Sequence, residues 1–407
     1  MKKYILLFLF AFLISINLDF AQEINKEIID KVVEKYSPSK YKRGIIIGIV
    51  HNNSIQYFSY GESEINSDVP PDTNSIFEIG SLTSVFTTTI LAEMELSGQI
   101  HLDEPVQKFL PSEVQMPVYI KIVCRPVKNV YYGIDDEHKN RPETMMVCFP
   151  DPLAHPREIL LCDLATHISG LPDKPDNLKN RKKSNNPYAG YTSANLYSFL
   201  NNFELSGTSD FRYHYSNLGI ALLGHALCLK TRKNFEDLLY EKIFSPLRMK
   251  DSRIKLNTDL QTRFLNGHSK NGSITPHWES EIMEASVGLH SSINDMMKFL
   301  SANIHRTETP LRNALDFAHN PRVNLFIEKK EIHATGLGWR VDPFCTGTRR
   351  VVWQSGTSGG FSSFIGFIKE DNCGVVILSN SAHSVTKTGF EILQKLCPET
   401  RLPPDAQ

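Results

Sequence analysis

The 407-residue sequence has no cysteine before Cys124, and its seven cysteines (Cys124, Cys148, Cys162, Cys228, Cys345, Cys373 and Cys397) fit no metal spacing such as C-x-x-C. The late first cysteine also leaves no lipid attachment site behind the N-terminal apolar run. There is no H-E-x-x-H, no P-loop and no dinucleotide fingerprint, so neither a metal nor a cofactor is implied. An excess of one charge is missing too. The formal net charge is -1, and no global field favours nucleic acid or an acidic membrane. The one basic run, Lys179 to Lys183 ("KNRKK"), sits among Asn, Ser and Pro and reads as a solvated loop. Beyond residue 22 no segment is long and apolar enough to span a bilayer. Internal repeats and low-complexity blocks are absent.

What is present supports a buried core: 41% hydrophobic and 22% charged residues. The opening "MKKYILLFLFAFLISINLDFAQ" has a lysine pair, an apolar run and then Ala21-Gln22, the layout of a signal peptide over residues 1–21. Asp19 is atypical so close to a cut, which keeps an uncleaved anchor as the alternative. The mature chain, 22–400, is expected to be secreted or periplasmic, with no stable membrane insertion after cleavage. In an oxidising compartment an odd cysteine count leaves at least one thiol free. Cys124 and Cys148 flank most of a Pro-rich irregular insertion (117–155) and are expected to form a disulfide. Cys228, in "GIALLGHALCL", reads as a core residue.

Residues 44–60, "GIIIGIVHNNSIQYFSY", are two β-rich runs around Asn52-Asn53, a hairpin signal. A helix is expected from near Ser81 to a stop at Gly98. Helical patterns then dominate 156–305. After about 334 strands return in "GLGWRVD", "RRVVWQS", "FSSFIGFI" and "CGVVILSN", and "TKTGFEILQKL" reads as a closing helix. Strands at both ends with helices between them predict an α+β fold. An antiparallel sheet would be built from both termini (about 23–110 and 331–400), with an all-helical middle (about 111–330).

The candidate chemistry begins at "GSLTSVF". Ser81 at a helix start is most simply an N-cap, but it is also placed as a nucleophile at the positive end of the helix dipole. Two further segments favour the second reading. Tyr215-Ser216-Asn217 precedes the helix "LGIALLGHAL", where a phenol beside an amide can shuttle a proton and orient a carbonyl. Gln354-Ser355-Gly356 ends a predicted strand whose edge could pair with an extended acyl substrate.

These segments, in this order, resemble the serine β-lactamase and penicillin-binding-protein superfamily, in its class C-like branch. "FEIGSLTSVFTTTILAEMELSGQIHLDEPVQKFLP" looks like that family's nucleophile helix. "ILLCDLATHISGLP" is similar to its L-L-x-H-T-S-G-L-P segment, and "YSNLGIALLG" carries its Y-x-N motif. "ASVGLHSSINDMMKFL" and "WQSGTSGGFSSFIGF" match later segments. The resemblance covers nearly the whole mature chain. It implies a β-lactamase/transpeptidase-like fold, no cofactor, and acyl transfer through Ser81 with Tyr215, Asn217 and Gly356 in the site.

Two positions depart from the family pattern. Its first motif is S-x-x-K, and Ser84 stands at the lysine. Its third is K-T-G or H-x-G, and Gln354 stands at the basic residue. A serine hydroxyl is no base near neutral pH, and positioned general-base catalysis is typically worth about 10²- to 10⁴-fold, or roughly 3 to 5 kcal/mol of barrier. Tyr215 could substitute only with a lowered pKa, which the missing cations would have supplied. His167 and His214, near these motifs, are expected to be structural. Gly356-Thr357-Ser358-Gly359-Gly360 also fits the G-x-S-x-G nucleophile elbow, but that motif needs a helix after it and "FSSFIGFI" reads as a strand. Two functions remain: a serine hydrolase acting on a small-molecule or peptide acyl substrate, weak as a β-lactamase, or a degenerate member that binds a peptide or cell-wall fragment without turnover.

Overall fold

The apolar runs near the two ends of the chain meet in one eight-stranded antiparallel sheet. Its strands are β1 (Ile45–His51), β2 (Ser54–Tyr60), β3 (Val323–Glu328), β4 (Glu331–Thr335), β5 (Arg340–Pro343), β6 (Arg350–Thr357), β7 (Ser362–Ile368) and β8 (Cys373–Ser379). They lie in the order β2-β1-β8-β7-β6-β5-β4-β3. The N-terminal hairpin joins the C-terminal strands through β1 and β8, with Gly48 opposite Val376. This computed structural model describes residues 24–36, 43–51, 54–64, 67–120, 122–128, 144–151, 155–178, 186–205, 212–328, 331–343 and 349–397. The expected signal segment, the Asn52-Asn53 turn, the 179–183 basic run and Cys345 lie outside them.

Strands β7 and β8 are buried at every residue, and β1 at all but its last. They read as unbroken hydrophobic runs because helices cover both faces of the sheet. On one face the helices Lys26–Tyr36 and Thr386–Leu396 enclose Ile47, Trp353, Phe364 and Phe390. On the other, a larger core joins the sheet to the helical part through Phe86, Leu222, Phe299 and Trp339. Two helices run through that core, Ser84–Leu96 and Asn217–Thr231, and both are apolar nearly all round, as buried helices must be. The three threonines on the first are buried but satisfied. Thr87 and Thr88 donate to the carbonyls of Ala285 and Leu337, and Thr89 donates to Val85 of its own helix.

Four local expectations need correction. The middle is not all-helical and the insertion is not irregular throughout: Ile122–Lys128 and Thr144–Pro150 pair as an antiparallel hairpin, and Gly267–His268 pairs with Ile274–Thr275. Pro126 and Pro150 disguise the first two of these strands in sequence, since proline normally demotes a strand assignment. The returning strands begin at Val323, ahead of the expected 334. Cys228 is only partly buried at the rim of the core. Among the described residues, no helix is long and apolar enough to cross a membrane.

Candidate active site

The chain reaches Ser81 through the short strand Ile76–Glu78, which pairs with His290–Ser292. Gly80 follows at φ +55, then a 3-10 turn over Gly80–Thr83 that feeds the Ser84–Leu96 helix. Neither the turn nor the helix has a side-chain cap, so the simple N-cap reading of Ser81 fails. Ser81 is partly exposed, and its hydroxyl lies beside the Tyr215 phenol. Two glycines allow the turn to press on the end of β6. A β-carbon on Gly80 would lie 2.5 Å from the Thr357 carbonyl oxygen, and one on Gly356 only 2.1 Å from that of Ile79. Both contacts involve backbone and cannot yield. Ser363 Oγ donates to the same Ile79 carbonyl at 2.7 Å.

Strand β6 is interior to the sheet, not an edge strand. Its ladder with β5 ends at Trp353, however, whereas its ladder with β7 runs to Thr357. Residues 354–357 therefore keep one unpaired side at the Ser81 end. The expected edge is local.

Tyr215 is brought over this turn by the N-terminus of the Asn217–Thr231 helix. Ser216 caps that helix by accepting from Gly219 N–H at 2.8 Å, which fixes the residues either side. The Tyr215 hydroxyl donates to Asn217 Oδ1 at 3.4 Å, and Asn217 Nδ2 donates to Asp173 Oδ1 at 2.7 Å. Burial pushes the Tyr215 phenol well above its usual value. Neighbouring Ser81 and Ser84 hydroxyls lower it, whereas Tyr213 and Asp173 raise it further. At neutral pH Tyr215 is a phenol and not a base.

His167, at φ +58, lies against Tyr215 with ring centroids 4.4 Å apart. Its Nδ1 accepts from Ser216 N–H at 3.2 Å, so the ring proton resides on Nε2. Burial lowers its pKa to about 3. It is a neutral packing surface for the phenol, the structural role expected for it. His214 is exposed, and its backbone N–H donates to the His167 carbonyl at 2.8 Å.

The two departing positions have different fates. Ser84 is fully buried, and its Oγ lacks a partner at full hydrogen-bond geometry although it lies close enough to act on the Tyr215 phenol. Gln354 is 6% exposed; its Nε2 donates to the Gly338 carbonyl at 2.8 Å and its Oε1 accepts from Ser355 N–H at 2.9 Å. Both ends of that amide are held by backbone. Among the described residues no lysine or arginine is hydrogen-bonded to Ser81, Ser84, Tyr215 or Gln354. What stands together is a partly exposed serine, a neutral phenol, a neutral imidazole and two amides.

Sequence reasoning missed two features of this cleft. Asp173 follows "HISGLP" in a polar loop, and nothing in its spacing marks it as the partner of Asn217. Tyr188 is 1% exposed and lies edge-on to Trp278 at 5.3 Å. Its hydroxyl has no partner, and it faces the charge of Asp173 and the phenol of Tyr215.

Comparison with known proteins agrees with this architecture. A family model described as "Beta-lactamase" matches residues 29–394. A β-lactamase of Pseudomonas fluorescens is 22% identical over 391 residues, covering 87% of this chain and 93% of that protein. The D-alanyl-D-alanine-carboxypeptidase/endopeptidase AmpH of Escherichia coli (strain K12) is 24% identical over 368 residues, covering 88% and 84%. Among solved structures, a class C β-lactamase from Rhodobacter sphaeroides superposes with a TM-score of 0.69 at 20% identity, covering 92% of this chain and 98% of that one. A class C β-lactamase in complex with cefoxitin gives 0.69 at 19% identity, covering 91% and 98%.

Proposed function

Because the chain belongs to the Beta-lactamase family, we propose that it is an exported serine-hydrolase-type protein that binds an acyl compound in the Ser81 cleft and acylates slowly. The substrate class is a peptide, ester or β-lactam-like carbonyl, in keeping with the β-lactamase and carboxypeptidase relatives. One observation carries the reading: the position of the motif base is a buried, neutral Ser84, beside a Tyr215 phenol whose pKa is raised, not lowered. Acyl binding needs only the turn at Ser81 and the half-paired strand end at 354–357. Backbone N–H groups there can stabilise a developing oxyanion whatever the state of the base. Proton removal from Ser81 does need a base, and its loss slows acylation by about 10²- to 10⁴-fold.

A second reading, binding without any turnover, draws on a separate observation. Gln354 is held at both ends by backbone and one N–H of Asn217 Nδ2 is given to Asp173, so both groups that would address a substrate are at least partly engaged. Intact-mass spectrometry after incubation with a penicillin or a fluorophosphonate separates the readings. Slow labelling at one site, lost in Ser81→Ala, supports slow acyl transfer; tight binding with no adduct supports the binder. Rapid β-lactam turnover contradicts both. The same spectrum of exported protein reads the N-terminus, expected at Gln22, and a species retaining residues 1–21 would make the apolar run an anchor.

A further inference from the structure

The hydrogen bonds behind Tyr215 run in one direction. A carboxylate can only accept, so the Asn217 amide must present its nitrogen to Asp173 Oδ1, at 2.7 Å. The opposite orientation would set two acceptor oxygens against each other at that distance. Asn217 Oδ1 is thereby turned to Tyr215, whose hydroxyl donates to it over a long 3.4 Å, while the Ser81 and Ser84 hydroxyls lie on its other side. With its proton engaged there, the Tyr215 oxygen can offer only lone pairs to Ser81.

We propose that Asp173 is a positioning residue whose carboxylate fixes the Asn217 amide, holds the Tyr215 proton against Asn217 Oδ1, and so restrains the phenol from serving as the base for Ser81. The proposal rests on the slow-acylation reading and names what enforces it beyond the missing lysine. In acylation, Ser81 Oγ bonds to the substrate carbonyl carbon while its proton passes to a Tyr215 phenolate. The leaving group departs with that same proton. Every such event requires the phenolate first, and an anion linked to it through one amide opposes it.

The groups facing Tyr215 are few. Ser81 and Ser84 lie on the nucleophile turn and helix, and Tyr213 precedes it in its own segment. The neutral His167 ring lies tilted against it at 4.4 Å, the Tyr188 phenol is near enough to act on it electrostatically, and Arg340 reaches the Tyr213 ring at 5.8 Å. Asp173 is the one carboxylate of the set. It also has a structural duty, since Oδ1 accepts the Asn217 backbone N–H at 3.2 Å, at the start of the helix where an anion is favoured.

Asp173→Asn removes the charge and keeps a side-chain oxygen for that backbone N–H. The rate of Ser81 labelling by an activated-ester probe is measured from pH 7 to 10. The rising limb should move to lower pH by about half a unit to one unit, a gain of roughly three- to tenfold at fixed pH. Asp173→Glu should stay near the parent, and Asp173→Asn/Tyr215→Phe should label no faster than Tyr215→Phe alone. A purely structural Asp173 would give neither the shift of the limb nor the gain in Asp173→Asn, and the Tyr215→Phe comparison assigns that gain to the phenol. If Asp173→Asn melts out, Asp173→Ser keeps a hydroxyl acceptor and carries the test; loss of fold in both makes Asp173 a helix anchor and overturns the proposal. So does a variant that folds and labels no faster than the parent, with neither protein labelling counted among those results. Rapid labelling of the parent contradicts the slow-acylation reading instead, and the shift of the limb then still decides the role of Asp173.

Discussion

Desolvation acts on three groups of this protein, one buried and two partly buried, with different consequences. It keeps the Tyr215 phenol protonated and the His167 imidazole neutral, with a pKa of about 3. It also raises the Glu284 carboxyl to about 7, with Glu236 and Glu281 adding to the effect and Lys255 opposing it. The two titratable groups near neutrality have opposite linkage. Below the ordinary imidazole value of 6.5 the unfolded chain binds a proton that folded His167 refuses, so that contribution is lost as pH falls towards 3. Folded Glu284 binds its proton more tightly than an ordinary carboxyl at 4.5, so stability is lost as pH rises from 4.5 through 7. Glu284→Gln should therefore stabilise the protein at pH 8 by about 1–2 kcal/mol and leave it nearly unchanged at pH 4.5. Denaturant unfolding at the two pH values checks this, and an equal effect at both would contradict it. At this scale the sequence showed Ser81, Ser84, Tyr215, Asn217 and Gln354, because motif spacing marks them. Asp173, Tyr188 and the fate of the Gln354 amide were not legible. Each is defined by a partner that only the folded chain brings near.

Among the elements, the main strands and the long helices were readable because their burial leaves a strong pattern. The closing helix Thr386–Leu396 spans the very residues its pattern marks. The hairpin in the insertion was not readable, since each strand carries a proline. Its register nevertheless places Cys124 directly opposite Cys148. Facing residues of an antiparallel ladder have α-carbons about 4.5–5.5 Å apart, inside the roughly 4.4–6.8 Å that a disulfide requires. The bridge expected from the sequence thus has a backbone suited to it, and closing the loop between the two residues would stabilise the fold by about 3 kcal/mol. Peptide mapping under non-reducing conditions should recover the Cys124 and Cys148 peptides linked. Recovery of both as alkylated thiols would rule the bridge out. The 3-10 turn at Gly80–Thr83 was also unforeseen, because its cause is tertiary: the Thr357 backbone lies too close to Gly80, and the Ile79 backbone too close to Gly356, for a side chain at either.

For the whole molecule, the α+β architecture was legible because the order of apolar runs and the family segments agree over the length of the chain. Activity was not, because it depends on a single proton acceptor. In the proposed function the cleft keeps its serine and strand end and lacks only that acceptor. Ser84 and Ser81 are spaced to share one face of the chain, and Ser84 is buried beside the phenol. A lysine at Ser84 would be desolvated there, which lowers an ammonium pKa towards that of a working base. The most direct measurement is the rate of Ser81 acylation by a penicillin-like or activated-ester probe in Ser84→Lys, alone and with Gln354→His, against the parent and a Ser81→Ala control. The account predicts a gain of about 10²-fold or more in Ser84→Lys, a further gain with Gln354→His, and none when Ser81 is alanine. A Ser84→Lys protein that folds like the parent and stays inert would contradict it, as would a parent that already acylates at Ser81 as fast as the variant.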